Sequence, residues 1–414
     1  GHSRAGRERP TTRGTHTMSA STPYLAPGEG ETIFSVSASP IKFGPGALAE
    51  VGADAHTLGM QRIALFADPH VLASAPGHTT LASLRDAGLH VVVYEHARCE
   101  PNSDSFEAAA AFAREHAVDG FVSLGGGSVI DTAKAARLCA QQGLDFASFL
   151  ASERELPPAE LPLVAVPTTA GTGSEVSGGA VITDDHSGAK LGIASPNLRA
   201  DHALVDPVLT HSAPPATTAF SGIDAIAQAI AGMIARTRTP IGDAIALEAI
   251  RLGGRALLPA YRDGADAAAR SEMACASLMA GLTMNISDCS AEHSLGQAIG
   301  GIAPAPHGLT IGLVLAETLE RERRVVPDQL ERVADALGVE DDGSGDGSRA
   351  VRAVRELLRE LEFPVLASLG IGEADLDELT ERAMADFFVN QSPRPWSAPE
   401  VRAAFAEALA LSER

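Results

Sequence analysis

The chain is poor in cysteine, tryptophan, tyrosine and positive charge. Of its 414 residues four are cysteine, one is tryptophan and three are tyrosine. Cys99, Cys139, Cys275 and Cys289 lie far apart with no Cys-x-x-Cys spacing, which argues against both a zinc knot and a disulfide framework. Reduced, buried thiols in a cytoplasmic protein are the expectation. Lysine and arginine number 32 against 53 aspartates and glutamates, a formal charge of −21, so the surface repels nucleic acid and anionic membranes. A small-molecule substrate fits that surface better. The sequence shows no apolar run of the roughly 18–20 residues that a membrane span needs. The opening GHSRAGRERPTTRGTHT is basic and polar and lacks the apolar core of a secretory signal; residues 1–23 are read as a disordered leader, with a Met-Ser start at Met18.

Apolar residues make up 45% of the chain, ordinary for a globular enzyme. Its length exceeds the usual single-domain size of about 100–200 residues, so two domains are expected. From Thr32 to about Asp206 the stretches IKFGPGALAEVGADAHTLG, RIALFAD, HVVVYEH, GFVSLGGG and LPLVAVP alternate with alanine-rich amphipathic segments, the pattern of a mostly parallel sheet covered by helices. Beyond the proline-rich HSAPPATTAF, long helical patterns dominate. We expect an α/β dinucleotide-binding domain over 24–212 and an all-α domain over 213–414. The acidic, glycine-rich VEDDGSGDGSR reads as a solvated interhelical loop.

Two segments carry the chemistry. GGGSVIDTAK, Gly125 to Lys134, follows an apolar strand and opens a helix; glycines let a backbone approach a phosphate closely, and the N–H groups and positive dipole end of the helix attract it. VPTTAGTGSEV, Val166 to Val176, places Thr168, Thr169, Thr172, Ser174 and Glu175 around two glycines, a loop rich in donors and acceptors. RIALFAD ends in Asp68, where a dinucleotide fold sets an acidic residue on the adenosine ribose and favours NAD over NADP; an aspartate before Pro69 reads equally as a helix N-cap.

Together with SGIDAIAQAI, AEHSLGQAIGG, APHGLTIG and LVDPVLTHSAPP, these segments resemble the iron-containing (group III) alcohol dehydrogenase family, from roughly Tyr24 to Glu413. The resemblance implies NAD-dependent hydride transfer between nicotinamide and a small primary alcohol or aldehyde, in a homodimer. It implies that Gly126, Gly127 and Ser128 hold the pyrophosphate, that Asp131 fixes the helix start, and that Thr168, Thr169 and Thr172 line the cleft. Ser174 and Leu209 are counted with the cofactor set. Lys190 in SGAKLGI would reach the nicotinamide ribose, or is a surface lysine.

The family's metal site is one aspartate and three histidines, the first two as an Asp-x-x-x-His pair whose spacing puts both on one helical face. Here the pair is Asp224 and Gln228, with His293 and His307 intact. An amide oxygen is a poorer ligand than imidazole for iron or zinc. Three readings stay open: Asp224, Gln228, His293 and His307 bind a divalent metal with the amide or water as fourth donor; Glu292 or Asp288, one turn apart if helical, substitutes; or the site holds no metal. Gln297 stands where many members have histidine, and glutamine orients a substrate oxygen but relays no proton. Asp224, His293, His307 and Gln297 form the expected catalytic set. Other readings are an enoate reductase of the maleylacetate type, which should show basic residues for a dicarboxylate; a dehydroquinate synthase-type lyase, which needs a basic phosphate pocket; and a metal-free, catalytically degenerate NAD-binding protein.

Overall fold

The computed structural model describes residues 34–98, 101–142, 156–183 and 190–411. The expected leader and the side chain of Lys190 lie outside the described residues. Strands β1 (Ile41–Phe43), β2 (Arg62–Phe66), β3 (His90–Tyr94), β4 (Gly120–Gly125), β5 (Leu163–Pro167) and β8 (His202–Val205) form one six-stranded sheet in the order β1-β8-β5-β4-β2-β3, every neighbour parallel. A parallel strand covered on both faces reads as a continuous apolar run: all of β4 and β5 is buried, and so is β2 from Ile63 to Phe66. Strands β6 (Gly179–Thr183) and β7 (Lys190–Ala194) make a separate antiparallel hairpin, which the sequence patterning did not resolve. The first stretch taken as strand-forming shrinks to β1, because the GPG turn ends it and the alanine-rich remainder coils into Ala47–Glu50 and α1 (Val51–Thr57).

Helices α2 (Pro69–Leu72), α3 (Ala75–Asp86), α4 (Ser103–Glu115) and α5 (Gly127–Gln142) complete the α/β half. The chain passes from β2 outward to β3, then back across β2 to β4. That reversal opens a crevice at the carboxyl ends of β2 and β4, the usual ligand position in open α/β sheets.

Beyond β8 the described residues are helical: α6 (Pro215–Ile234), α7 (Pro240–Arg262), α8 (Ala267–Ser287), α9 (Ala291–Ile302), α10 (His307–Glu322), α11 (Pro327–Ala336), α12 (Ser348–Glu360), α13 (Leu376–Ala385) and α14 (Ala398–Ala410), with short 3₁₀ turns between. Ile223, Ile226, Ile230, Ile250, Leu257, Ile311 and Leu315 centre its largest core. The acidic loop between α11 and α12 is anchored by buried Arg349, which pairs with Glu331 at 2.6 Å and Asp335 at 2.9 Å. Contrary to the sequence reading, one helix, Pro215–Ile234, is long and apolar enough to cross a membrane, yet 83% of its most apolar window is buried in the protein.

The two halves meet closely at Gly173 and Gly281. Gly173 has φ +60°, and a Cβ on it would lie 2.4 Å from the Gly281 Cα. Only glycine allows both that backbone conformation and that approach. The threonine-rich loop thereby docks directly on α8.

Candidate active site

Helix α6 is apolar from Ile223 to Ile234 except for Asp224 and Gln228. Their four-residue spacing puts both on one face, where they are 1% and 2% exposed. Gln228 Nε2 donates to Asp224 Oδ2 at 3.2 Å. Helix α9 brings His293 to the same point, and α10 begins with His307. Each imidazole Nε2 stands 3.7 Å from Asp224 Oδ1, and the three donor atoms lie within 4.8 Å of one another. Metal bonds of about 2.1 Å separate tetrahedral ligands by about 3.4 Å, so this spacing is metal-sized. His293 Nε2 and Gln228 Oε1 are buried with no hydrogen-bond partner among the described residues, as atoms awaiting an ion are. One aspartate and two imidazoles suit iron or zinc. The residues present fit a divalent metal, with three convergent donors and Gln228 Oε1 as an unpaired neighbour.

The second sequence reading, in which Glu292 or Asp288 replaces the missing ligand, does not match the geometry. Glu292 Oε1 contacts His293 Nδ1 at 2.8 Å, the face of the ring opposite the cluster. Asp288 is not on a helix with Glu292: it caps the end of α8 at φ +57° and ψ −172°. Burial lowers the affinity of His293 for a proton, but Cys289 and Glu292 outweigh it and hold this imidazole well above its ordinary pKa.

Gln297 follows His293 by one turn on α9, and its buried Oε1 also has no partner among the described residues. Across the cleft stands hairpin strand β7. A Cβ on its Gly192 would lie 3.6 Å from Phe388 Cε2 and 3.8 Å from Gln297 Nε2, and the Phe388 ring stands edge-on to His293 at 5.8 Å between centroids. Gly192, Phe388 and Gln297 thus gather around His293, beside the Asp224, His293 and His307 cluster. Phe388 comes from the turn Phe388–Gln391, and no periodicity or motif pointed to it.

On the cofactor side, Gly126, Gly127 and Ser128 are half-buried at the mouth of the crevice, as are Thr168, Thr169 and Thr172. A Cβ on Gly126 would lie 3.3 Å from Thr169 Oγ1, and one on Gly127 2.8 Å from Thr172 Oγ1. The two motifs therefore face each other across a cradle that a single extra carbon would fill, which fits a pyrophosphate. Asp68 caps α2: its Oδ1 accepts from His70 N at 2.9 Å and Val71 N at 3.0 Å. Lys190 opens β7, with its side chain outside the described residues.

Three expected cofactor residues are otherwise engaged. Asp131 does not fix the start of α5; it lies in the second turn, where Oδ1 accepts from Ser174 Oγ at 2.6 Å and Oδ2 from Val181 N at 3.0 Å. Ser174 is 3% exposed and committed to that bond. Leu209 is 5% exposed and packs in the core under the sheet.

Beneath the cradle, Lys134 is fully buried. Its Nζ donates to Ser174 Oγ and Gly179 O, both at 2.8 Å, and stands 3.7 Å from Asp131. Burial presses Lys134 down to about 8, against Asp131 and Glu175; burial likewise lifts Glu175 to about 7 and raises Asp131. This network cross-links α5 to the threonine loop and hairpin. Sequence reading quoted Lys134 in its motif but gave it no role; its spacing of one helical turn from Asp131 was the available signal.

Comparison with known proteins agrees with this layout. Residues 38–207 match the family model "Iron-containing alcohol dehydrogenase", and residues 218–409 match "Fe-containing alcohol dehydrogenase family, C-terminal". The chain is similar to a choline dehydrogenase of Bacillus subtilis (strain 168), 32% identical over 86% of this chain and 89% of the relative. Among solved structures it superposes on a 1,3-propanediol oxidoreductase with TM-score 0.87 and 30% identity, over 91% of this chain and 100% of the other. A sulfoacetaldehyde reductase of Bifidobacterium kashiwanohense in complex with NAD+ gives TM-score 0.83 and 25% identity, over 91% and 99%.

Proposed function

Since the chain belongs to the iron-containing alcohol dehydrogenase family, we propose that it is an NAD(H)-dependent oxidoreductase interconverting a small primary alcohol and its aldehyde. The observation that carries this reading is the convergence of Asp224, His293 and His307 at metal-binding distances, on the far side of a cleft from a glycine cradle shaped for a pyrophosphate. Bound there, a divalent metal supplies Lewis acidity to a substrate oxygen and the nicotinamide carries the hydride.

The chain's own residues do the rest. Asp224 Oδ1, His293 Nε2 and His307 Nε2 present the donor set, while the Gln228 amide holds Asp224 by Oδ2. Gly126, Gly127, Thr169 and Thr172 seat the pyrophosphate, Ser128 and Thr168 border it, and Asp68 offers its second carboxylate oxygen to the adenosine ribose. Phe388 and Gly192 pack beside Gln297 and His293 and exclude water from that side of the cluster. Gln297 can orient a substrate oxygen through its amide but can neither take nor give the proton near neutral pH, so that proton passes to solvent or a cofactor hydroxyl. A homodimer in the cytoplasm completes the proposal, supported by the exposed Phe34, Val36, Ile41 and Phe43 at and beside the edge strand β1.

The test is elemental analysis of the purified protein, with NADH oxidation by short aldehydes and NAD+ reduction by propane-1,3-diol and choline, before and after chelation and metal add-back. Bound metal with chelator-sensitive turnover is expected. Turnover indifferent to chelation, or none with any substrate in a metal-loaded protein, would overturn the assignment.

A further inference from the structure

Glu292 is 1% exposed, and an isolated buried carboxylate is expensive. Its ion partner among the described residues is His293 alone, Oε1 to Nδ1 at 2.8 Å. Adjacent residues in a helix interior do not face each other; this contact forms because both lie in the first turn of α9, where the preceding Ser290 holds the carboxylate. Ser290 N donates to Oε1 at 3.2 Å and Ser290 Oγ donates to Oε2. A carboxylate so held accepts the Nδ1 hydrogen and orients the ring, so that Nε2 is the nitrogen turned toward Asp224 for a metal to take. That nitrogen stands 3.7 Å from Asp224 Oδ1 and has no hydrogen-bond partner among the described residues. Two buried carboxylates, Asp224 and Glu292, around two imidazoles leave the cluster short of positive charge. A divalent cation would supply it.

We propose that Glu292 is a positioning residue for metal binding: it fixes His293 through Nδ1 and strengthens Nε2 as a donor, offsetting the imidazole missing at Gln228. Gln228 cannot do this itself, since its amide carries no charge and its Nε2 is spent on Asp224. The proposal rests on the metal-site reading above and adds to it a residue outside the ligand set.

The experiment titrates metal-stripped wild type, Glu292→Gln, Glu292→Ala and His293→Ala with Co2+ and Zn2+, reading cobalt absorption and competition with a chromophoric chelator, beside thermal melts of the metal-free proteins. Loss of a group that orients a metal-bound histidine typically costs about 10–100-fold in affinity. Glu292→Gln, which keeps shape and an acceptor, should lose about tenfold and shift the cobalt spectrum, and Glu292→Ala should lose more. Metal-free Glu292→Gln should melt no lower than metal-free wild type, because a buried charge has been removed; a merely structural carboxylate would give a lower melt. Unchanged affinity in Glu292→Gln overturns the proposal while leaving the metal site intact. Wild type that binds neither ion overturns the metal-site reading itself. If Glu292→Ala does not fold, Glu292→Gln decides.

Discussion

Gln228 donates to Asp224 across one turn of α6, at 3.2 Å, so the residue standing where a histidine ligand was expected is bonded to the carboxylate proposed as a ligand. The amide nitrogen takes the carboxylate and the amide oxygen is left without a partner among the described residues. The first prediction follows. Gln228→His puts a second imidazole on the same helical face as Asp224 and should tighten Zn2+ binding by at least about tenfold, about 1.4 kcal/mol. Chelator competition measures it; equal or weaker binding would show that the cluster is already complete with three protein donors.

Gly127→Ala tests the cradle. The new Cβ would lie 2.8 Å from Thr172 Oγ1, in the space a pyrophosphate needs. Overpacking of this kind costs about 1–3 kcal/mol of stability, so the melt should fall, and because relief of the clash moves the two motifs apart from their cradle geometry, NADH titrated by fluorescence should bind at least roughly tenfold more weakly. Undiminished NADH affinity would place the phosphates elsewhere.

Asp288→Gly addresses strain. At φ +57° and ψ −172° Asp288 occupies backbone territory that essentially only glycine enters freely. Relief should stabilise the metal-free protein by about 1 kcal/mol, seen as a raised denaturant midpoint. A lowered midpoint would mean that the Asp288 side chain contributes more than its backbone costs.

The buried network below the cradle makes stability depend on pH. Glu175 is lifted from 4.5 to about 7 by burial, so its protonated form is favoured in the folded state; that contribution is present below about 4.5 and is lost as pH rises through 7. Glu175→Gln removes the ionisation. Its thermal midpoint relative to wild type should therefore climb between those values and level off above. Lys134, pressed from 10.5 to about 8, acts with the opposite sign: the cost of burying its charge is relieved as pH rises from 8 toward 10.5. A difference between Glu175→Gln and wild type that is flat with pH would contradict this account.

Much of this was legible in the sequence because the strongest signals are local. Parallel strands buried on both faces spell apolar runs, so RIALFAD, GFVSLGGG and LPLVAVP stood out, as did the glycine turn that opens α5. The Asp224 and Gln228 pair was readable from helical spacing. What failed depended on where the chain turns. Asp288 and Glu292 look one turn apart only if the helix continues; instead α8 ends at a residue with positive φ and α9 starts anew, which sends Glu292 to the back of His293. Asp131 and Ser174 sit one in each of the two glycine-bearing motifs, but Asp131, in the second turn of α5, turns inward and accepts from Ser174 Oγ of the threonine loop and from Val181 N of the hairpin. Gly192 and Phe388 meet only because the hairpin reaches the helical half, a contact between distant segments that no local pattern encodes.

Helix α6 has one further consequence. From Ile223 to Ile234 its polar side chains are Asp224 and Gln228, and it lies at the centre of the largest core. The residue proposed as a metal ligand and the amide bonded to it are therefore the polar interruption in an otherwise greasy core element. If the proposed site binds its metal, cell metal supply becomes a folding variable: a ligand at 100 times its dissociation constant adds about 2.7 kcal/mol to stability, a sizeable share of the about 5–15 kcal/mol that holds a typical domain together. A metal-starved cell would contain chains that are not merely inactive but easier to unfold, with an apolar twenty-residue helix to expose when they do.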